Sequence, residues 1–209
     1  MRVIGTVGLP GSGKGEVATV AAEEDVPVVT MGDVIREECE RRGLDPAEHH
    51  GAVAKTLREE EGPAAIADRT VPRVESAADA GADVVLVDGL RSTVELDRFR
   101  ERFGDGFLLV AVDAPFEVRA ERLGARGRDD SDLDAESLRD REARELEFGM
   151  ADVIDAADVT VDNTDSLTAF RTRVRDLLAD AADCAFDPES DDATDGTGAG
   201  TDDAPEATE

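Results

Sequence analysis

The sequence predicts a three-layer α/β fold, with helices covering both faces of a parallel sheet of about five strands. Two observations carry that expectation. Short, continuously apolar or β-branched runs alternate along the chain with helix-length amphipathic segments, the pattern of strands buried on both faces. A glycine-rich loop, Gly8 to Gly15, sits directly between the first such run and the first helical pattern.

In chain order, Val3 to Val7, Val26 to Val29, Val84 to Val87, Phe107 to Val112 and Val159 to Val161 read as the strands. Ser92-Thr93-Val94-Glu95 is a capping box ahead of Leu96, Phe99 and Phe103, which share one helical face. Pro115 stands where a first helical residue would, ahead of Phe116 and Leu123. Ser166 is placed to cap a helix that buries Leu167, Phe170, Val174, Leu177 and Leu178. Residues 32–80 and 119–147 are helical but fall outside the strand–helix rhythm. They read as an insert and a lid on a single domain over residues 1–183. Residues 184–209 hold nine acids and no base, and too few large apolar groups to offset their ordering entropy; a disordered acidic tail is expected.

The 209 residues carry 51 acids against 23 bases, a net charge of −28, and every base except Lys14 and Lys55 is arginine. Adaptation to a cytoplasm of molar salt, where the screening length falls to about 3 Å, accounts for such a surface. An acidic protein that binds basic partners is the other reading, and the spread of acids over the whole chain favours the first. Either way the field would repel nucleic acid. No stretch approaches the roughly 18–20 apolar residues of a membrane span, so no membrane partner is expected. The start, Met1 to Gly5, runs straight into a strand pattern, and no signal peptide is expected. Cys39 and Cys184 resemble no ligand spacing and read as free thiols of a cytoplasmic protein.

Gly8-Leu9-Pro10-Gly11-Ser12-Gly13-Lys14-Gly15 fits G-x-x-x-x-G-K, the loop whose backbone N–H groups cradle phosphates at a helix start. Gly8, Pro10, Gly11, Ser12, Gly13, Lys14, Gly15 and Glu16 are therefore expected to hold a nucleoside triphosphate, ATP or GTP, with Lys14 neutralising its β and γ phosphates. Gly15 stands where a hydroxyl residue usually serves Mg²⁺. The ion is expected to rest on phosphates and water, with Ser12 and, through water, Asp88 as its protein groups. Asp88 ends a buried strand, where a carboxylate can orient metal-bound water.

These motifs resemble those of the nucleoside monophosphate kinase superfamily. The loop resembles that of adenylate kinases, where glycine also follows the lysine. Thr30-Met31-Gly32-Asp33-Val34-Ile35-Arg36 is similar to their Thr-Gly-Asp-x-x-Arg segment with Met31 inserted, and Asp88-Gly89-Leu90-Arg91 to their Asp-Gly-Phe-Pro-Arg segment without the proline. Ala157 to Thr164 resembles the last strand and adenine loop of dephospho-coenzyme A kinases. The ensemble, over about residues 3–180, most resembles a group of archaeal P-loop nucleotide-kinase-like proteins. The resemblance implies a P-loop kinase fold, with residues 32–80 on the acceptor side. Arg36 and Arg91 would grip an acceptor phosphate, Asp33 would shape that pocket and Asn163 would face the donor base. Arg126, Arg128 and Arg141 would be catalytic cations of the lid, flanked by Arg119, Arg122 and Arg144. There is no cysteine zinc lid, the glutamine expected after the acceptor arginine is absent, and Glu16 replaces a threonine, so adenylate specificity is not implied.

The expected function is phosphoryl transfer from ATP or GTP to a small phosphorylated molecule, such as a nucleoside monophosphate or a coenzyme A precursor. The rival is a nucleotide-dependent switch or assembly factor with slow hydrolysis and a protein partner. His49 and His50, about 100° apart on a helix, are expected to be surface residues.

Overall fold

The computed structural model describes residues 1–126, 135–147 and 149–185. Its five strands are β1 (Arg2–Val7), β2 (Val28–Thr30), β3 (Val84–Asp88), β4 (Phe107–Asp113) and β5 (Val159–Asp162). They form one sheet in the order β2-β3-β1-β4-β5, and every pairing is parallel. β2 begins two residues later than the apolar run predicts, because Pro27 has no N–H to give the ladder; its carbonyl accepts from Leu86 N at 2.9 Å.

The two-residue period of the strands divides the core. Val3, Val7, Val85, Val87 and Leu109 face one way, and Ile4, Val84, Leu86, Val110 and Val112 the other. The second face is closed by α1 (Lys14–Glu23) and α9 (Leu167–Ala185), through Val17, Val20, Phe170, Val174 and Leu178. The first is closed by α2 (Met31–Arg41), α3 (Pro46–Glu61), α4 (Ala65–Asp79), α5 (Thr93–Phe103) and α8 (Met150–Asp155). The Phe99 ring of α5 stacks on Phe107 of β4 at 5.6 Å between centroids. The lid segment is two helices, α6 (Phe116–Arg126) and α7 (Ala135–Glu147).

Ser92 caps α5 as predicted, its Oγ accepting from Glu95 N at 3.2 Å. Ser166 Oγ likewise accepts from Ala169 N at 3.2 Å, at the start of α9. Arg128 and residues 186–209, the bulk of the expected tail, lie outside the described residues, as does the side chain of Arg126.

Strand order fixes where a site can form. The chain leaves β1 toward β2 on one side, and β4 lies on the other. The carboxyl end of β1 is thus the switch point at which open parallel sheets bind ligands, and the glycine loop begins there.

Candidate phosphate and acceptor site

The loop is shaped by backbone and by close packing. Gly13, at φ 116°, is the cap of α1, and a side chain there would collide with the Asn163 carboxamide. Gly8, at φ 155°, leaves no room either: a Cβ would stand 2.5 Å from Val112 O and 2.7 Å from Ser12 Oγ. Only glycine fits these positions. Gly15 differs, since a Cβ there meets nothing within 4 Å; its lack of a hydroxyl is not imposed by space.

Lys14 Nζ donates to the Gly8 carbonyl and, at 3.4 Å, to that of Leu9, so the ammonium lies over its own loop. Burial holds its pKa below the ordinary lysine value. The positive charges of Arg91 and Arg119 push the same way, while Glu145 and Asp88 oppose them. Charges from three segments, the end of β3, α6 and α7, therefore act on this one ammonium. Asp88 is half-buried and fixed by Thr6 Oγ1, which donates to its Oδ1 at 2.9 Å; parallel register sets Thr6 opposite Asp88.

Behind the loop the side chains are committed to structure. Asn163, 4% exposed, donates from Nδ2 to Ser12 O at 2.7 Å, and its own carbonyl accepts from Arg122 at 2.8 Å. Its carboxamide, expected to face a base, is here a clamp on the loop. Glu16 points to α9, with Arg171 Nη1 3.1 Å away, although that carboxylate oxygen makes no aligned hydrogen bond. Arg119, 3% exposed, donates to Ala114 O at 2.9 Å, to Pro10 O at 3.1 Å and to Glu142 at 2.8 Å. It bolts the loop to the turn after β4 and to α7.

Ser12 Oγ is buried without a partner. Ser12 lines a cavity of about 460 Å³, with Leu9, Ala111, Asp113, Arg119 and Thr160 among its walls. A hydroxyl this buried is poorly placed to meet a metal ion. Asp88 fits better the role of distant carboxylate for magnesium held by phosphates and water. No group of three or more His, Cys, Asp or Glu able to hold a metal by themselves occurs among the described residues.

Among its described residues the lid brings acids to the loop as well as Arg119. Glu142 reaches Arg119, and Glu145 acts on Lys14. Arg141 is half-exposed and has no hydrogen bond or ion pair among the described residues, and Arg144 is turned to Asp140 O of its own helix at 3.1 Å.

On the acceptor side, Arg36 is bonded to Asp33, with Nε at 2.8 Å. Arg91 is exposed, is held by its backbone N to Glu95 at 3.0 Å, and has no carboxylate on its guanidinium among the described residues. Glu95, 1% exposed, also accepts from Arg58 of α3 at 2.9 Å. It thereby completes the capping box in an altered form, bonding one residue before the cap. His49 and His50 are both half-exposed, and they differ in what they face. His49 Nδ1 lies 3.1 Å from Asp45 O of its own helix end, while His50, one residue on, turns toward Gly32 and feels both Arg36 and Arg91. No pattern distinguishes two adjacent histidines; the Asp45 cap, accepting from Ala47 N at 2.9 Å, was the one signal that fixes the phase of α3.

A family model described as an AAA domain matches residues 7–139. The chain is 59% identical over 179 residues to a UPF0200 protein of Halobacterium salinarum, covering 86% of this chain and 93% of that one. It is 44% identical over 180 residues to a UPF0200 protein of Methanosarcina mazei, covering 86% and 95%. Among solved structures it is similar to TT1252 of Thermus thermophilus, with a TM-score of 0.58 and 21% identity over 86% of this chain and 97% of that one. It is also similar to shikimate kinase of Acinetobacter baumannii in complex with shikimate, with a TM-score of 0.50 and 16% identity over 90% and 96%. These structural likenesses establish the P-loop kinase fold.

Proposed function

This chain belongs to the UPF0200 family, and we propose that it is a kinase that transfers the γ-phosphoryl group of ATP or GTP to a small phosphorylated molecule. The observation that carries this reading is the position of Arg91. Its loop rests against the start of α2, where Arg36 and His50 meet, and its exposed guanidinium bears on both Lys14 and His50. A cation between a triphosphate cradle and a second cationic pocket is what transfer between two anions requires. The shared fold with a protein named shikimate kinase supports a small-molecule acceptor. A nucleoside monophosphate or a coenzyme A precursor fits the pocket chemistry.

In this reading the loop N–H groups and Lys14 hold the triphosphate. Lys14 turns from the Gly8 and Leu9 carbonyls to the phosphates, and Arg91 and Arg36 hold the acceptor in line with it. Magnesium would neutralise the β and γ oxygens, with Asp88 orienting its water. Lid cations from Arg126, Arg128 and Arg141 would approach the transferring group as α6 and α7 close. The location proposed is the cytoplasm; among the described residues no helix is long and apolar enough to cross a membrane.

One observation favours a slow nucleotide switch with a protein partner instead. The lid sets Glu142 and Glu145 near the loop, where acids oppose a triphosphate. A screen of small phosphorylated acceptors for accelerated nucleoside diphosphate release separates the two. A kinase turns over faster with its acceptor, and Arg36→Ala or Arg91→Ala slows that stimulated transfer by roughly ten- to a thousandfold with triphosphate affinity unchanged. Absence of stimulation by any acceptor, or loss of triphosphate binding in both variants, would remove the kinase reading.

A further inference from the structure

Two side chains, Arg36 and His50, converge above the start of α2, and the loop that carries Arg91 rests against the same helix start. A Cβ built on Gly32 would lie 3.3 Å from Arg36 Nη1 and 3.6 Å from His50 Nε2, so guanidinium and imidazole border one point in space. Arg91 is brought there because its loop rests on the same helix start: a Cβ on Gly89 would stand 3.6 Å from Met31 Cβ. Thr30, the N-cap of α2, makes no side-chain cap bond, so the first amides of α2 add their positive end to the same spot.

We propose that His50 is an acceptor-binding residue, which closes with Arg36 and Arg91 on a tetrahedral dianion and takes up a proton from solvent as the dianion binds. This rests on the kinase reading above and deepens it: the acceptor is a phosphomonoester in its dianionic form, rather than a carboxylate or an uncharged sugar.

The electrostatics of the free protein give the reason. Partial burial is the largest cause holding the His50 pKa below its ordinary value; Arg91 and Arg36 act in the same direction, and the Gly32 backbone opposes them. The remaining neighbours do not offset this. Asp33 is bonded to Arg36. On α4, which packs against α3, Asp68 is paired with Arg98, Arg69 with Glu61 and Arg73 with Glu37. Among the described residues around this point, His50 is therefore the group able to add charge when an anion arrives. A bound dianion reverses the local field and raises the imidazole pKa. Affinity for the dianion is then greatest at pH below the free-state pKa and is lost as pH rises through the bound-state pKa. Each unit of difference between the two is worth about tenfold in affinity. A monoanion recruits less of this gain.

The chain has only two histidines, so imidazole NMR of the full protein reads the site directly, with His50→Gln assigning the signals. The phosphate loop is first saturated with a non-hydrolysable triphosphate analogue and magnesium. Sulfate, a dianion throughout the histidine range, is then the probe, with formate as the monoanion. The expected result is that saturating sulfate raises the His50 titration by about a unit or more, leaves His49 in place, and exceeds the effect of formate. His50→Gln should weaken sulfate binding about tenfold near pH 6 and little near pH 8. Sulfate binding that disappears in Arg36→Ala or Arg91→Ala while His50 titrates unchanged would overturn the role of His50 and leave the clamp standing. Sulfate that never binds the loaded protein would overturn the clamp itself, and with it the acceptor site. An equal response to formate would overturn the choice of a dianion.

Discussion

The phosphate loop and the acceptor-side helices are built on opposite plans. The loop is held by backbone: Asn163 to Ser12 O, Arg119 to Pro10 O, Lys14 to Gly8 O, with glycines where side chains would collide. The seams among α2, α3, α4 and α5 are laced by ion pairs. Arg42 meets Glu38 and Glu60, Arg69 meets Glu38 and Glu61, Arg58 meets Glu95 and Arg98 meets Asp68. In a chain with 51 acids and two lysines, Lys14 and Arg119 on the first side bond loop carbonyls, Arg119 also meeting Glu142, while most charges on the second are matched by carboxylates alone. A partnerless cation such as Arg91 is therefore informative, and a paired arginine is ordinary.

The strongest way to break this contrast is at Glu38. Its side chain is 2% exposed and receives Arg41, Arg42 and Arg69. Glu38→Gln should cost about 2–3 kcal/mol of stability, less than a fully enclosed pair because Arg41 is 68% exposed. Those guanidiniums, Arg41 first, hold the Glu38 carboxyl far below the ordinary carboxylate range. A depressed folded pKa means stability that is fully present above the unfolded value and lost as pH falls toward the folded one. The gap between wild type and Glu38→Gln in chemical denaturation should thus be full near pH 7 and shrink below about pH 4. A gap independent of pH would mean that packing, and not charge, is what Glu38 supplies.

At Lys14 the expected result is the reverse, with function lost and fold kept. Its ammonium touches loop carbonyls and joins no helix seam, so Lys14→Ala should melt with wild type. Triphosphate affinity should fall roughly ten- to a hundredfold, the worth of a charge-assisted bond. Calorimetric binding beside a melting curve, both in molar salt, reads the two at once. A destabilised variant would show that the loop shares the ion-pair economy of the helices.

The same contrast explains what could be read from sequence. Both-face burial makes the five strands nearly continuous apolar runs, and backbone geometry makes the loop a glycine pattern; each is a local property. The capping serine at Ser92 is local too. The acceptor side is not. Motif resemblance sets Arg36 and Arg91 apart, but only packing shows that Arg58 serves Glu95, that Arg36 is bonded to Asp33, and that no carboxylate among the described residues meets the Arg91 guanidinium. The Arg119 bonds to Pro10 O, 109 residues away, and the Asn163 clamp on Ser12 O, 151 residues away, are long-range facts with no local signature. What His50 faces is long-range in the same way, since its neighbours come from α2 and from the turn after β3.

The smallest expected effect is at Ser12, and it sharpens the loop half of the comparison. If the loop works through backbone, the Ser12 hydroxyl is dispensable. Ser12 is 1% exposed, and its Oγ has no hydrogen-bond partner among the described residues and sits where a Cβ on Gly8 would reach it at 2.7 Å. A buried hydroxyl with no partner has lost its water without compensation. Ser12→Ala should therefore change stability by about half a kcal/mol or less, in the stabilising direction. Triphosphate affinity should stay within about twofold whether or not magnesium is present, because Ser12 O, which Asn163 holds, survives the substitution. The informative measurement is the affinity ratio with magnesium and with a chelator. If Ser12→Ala lost about tenfold in magnesium and nothing in chelator, the hydroxyl must leave its buried position to meet the ion. The loop would then depend on a side chain at the very point where this structure shows only backbone at work.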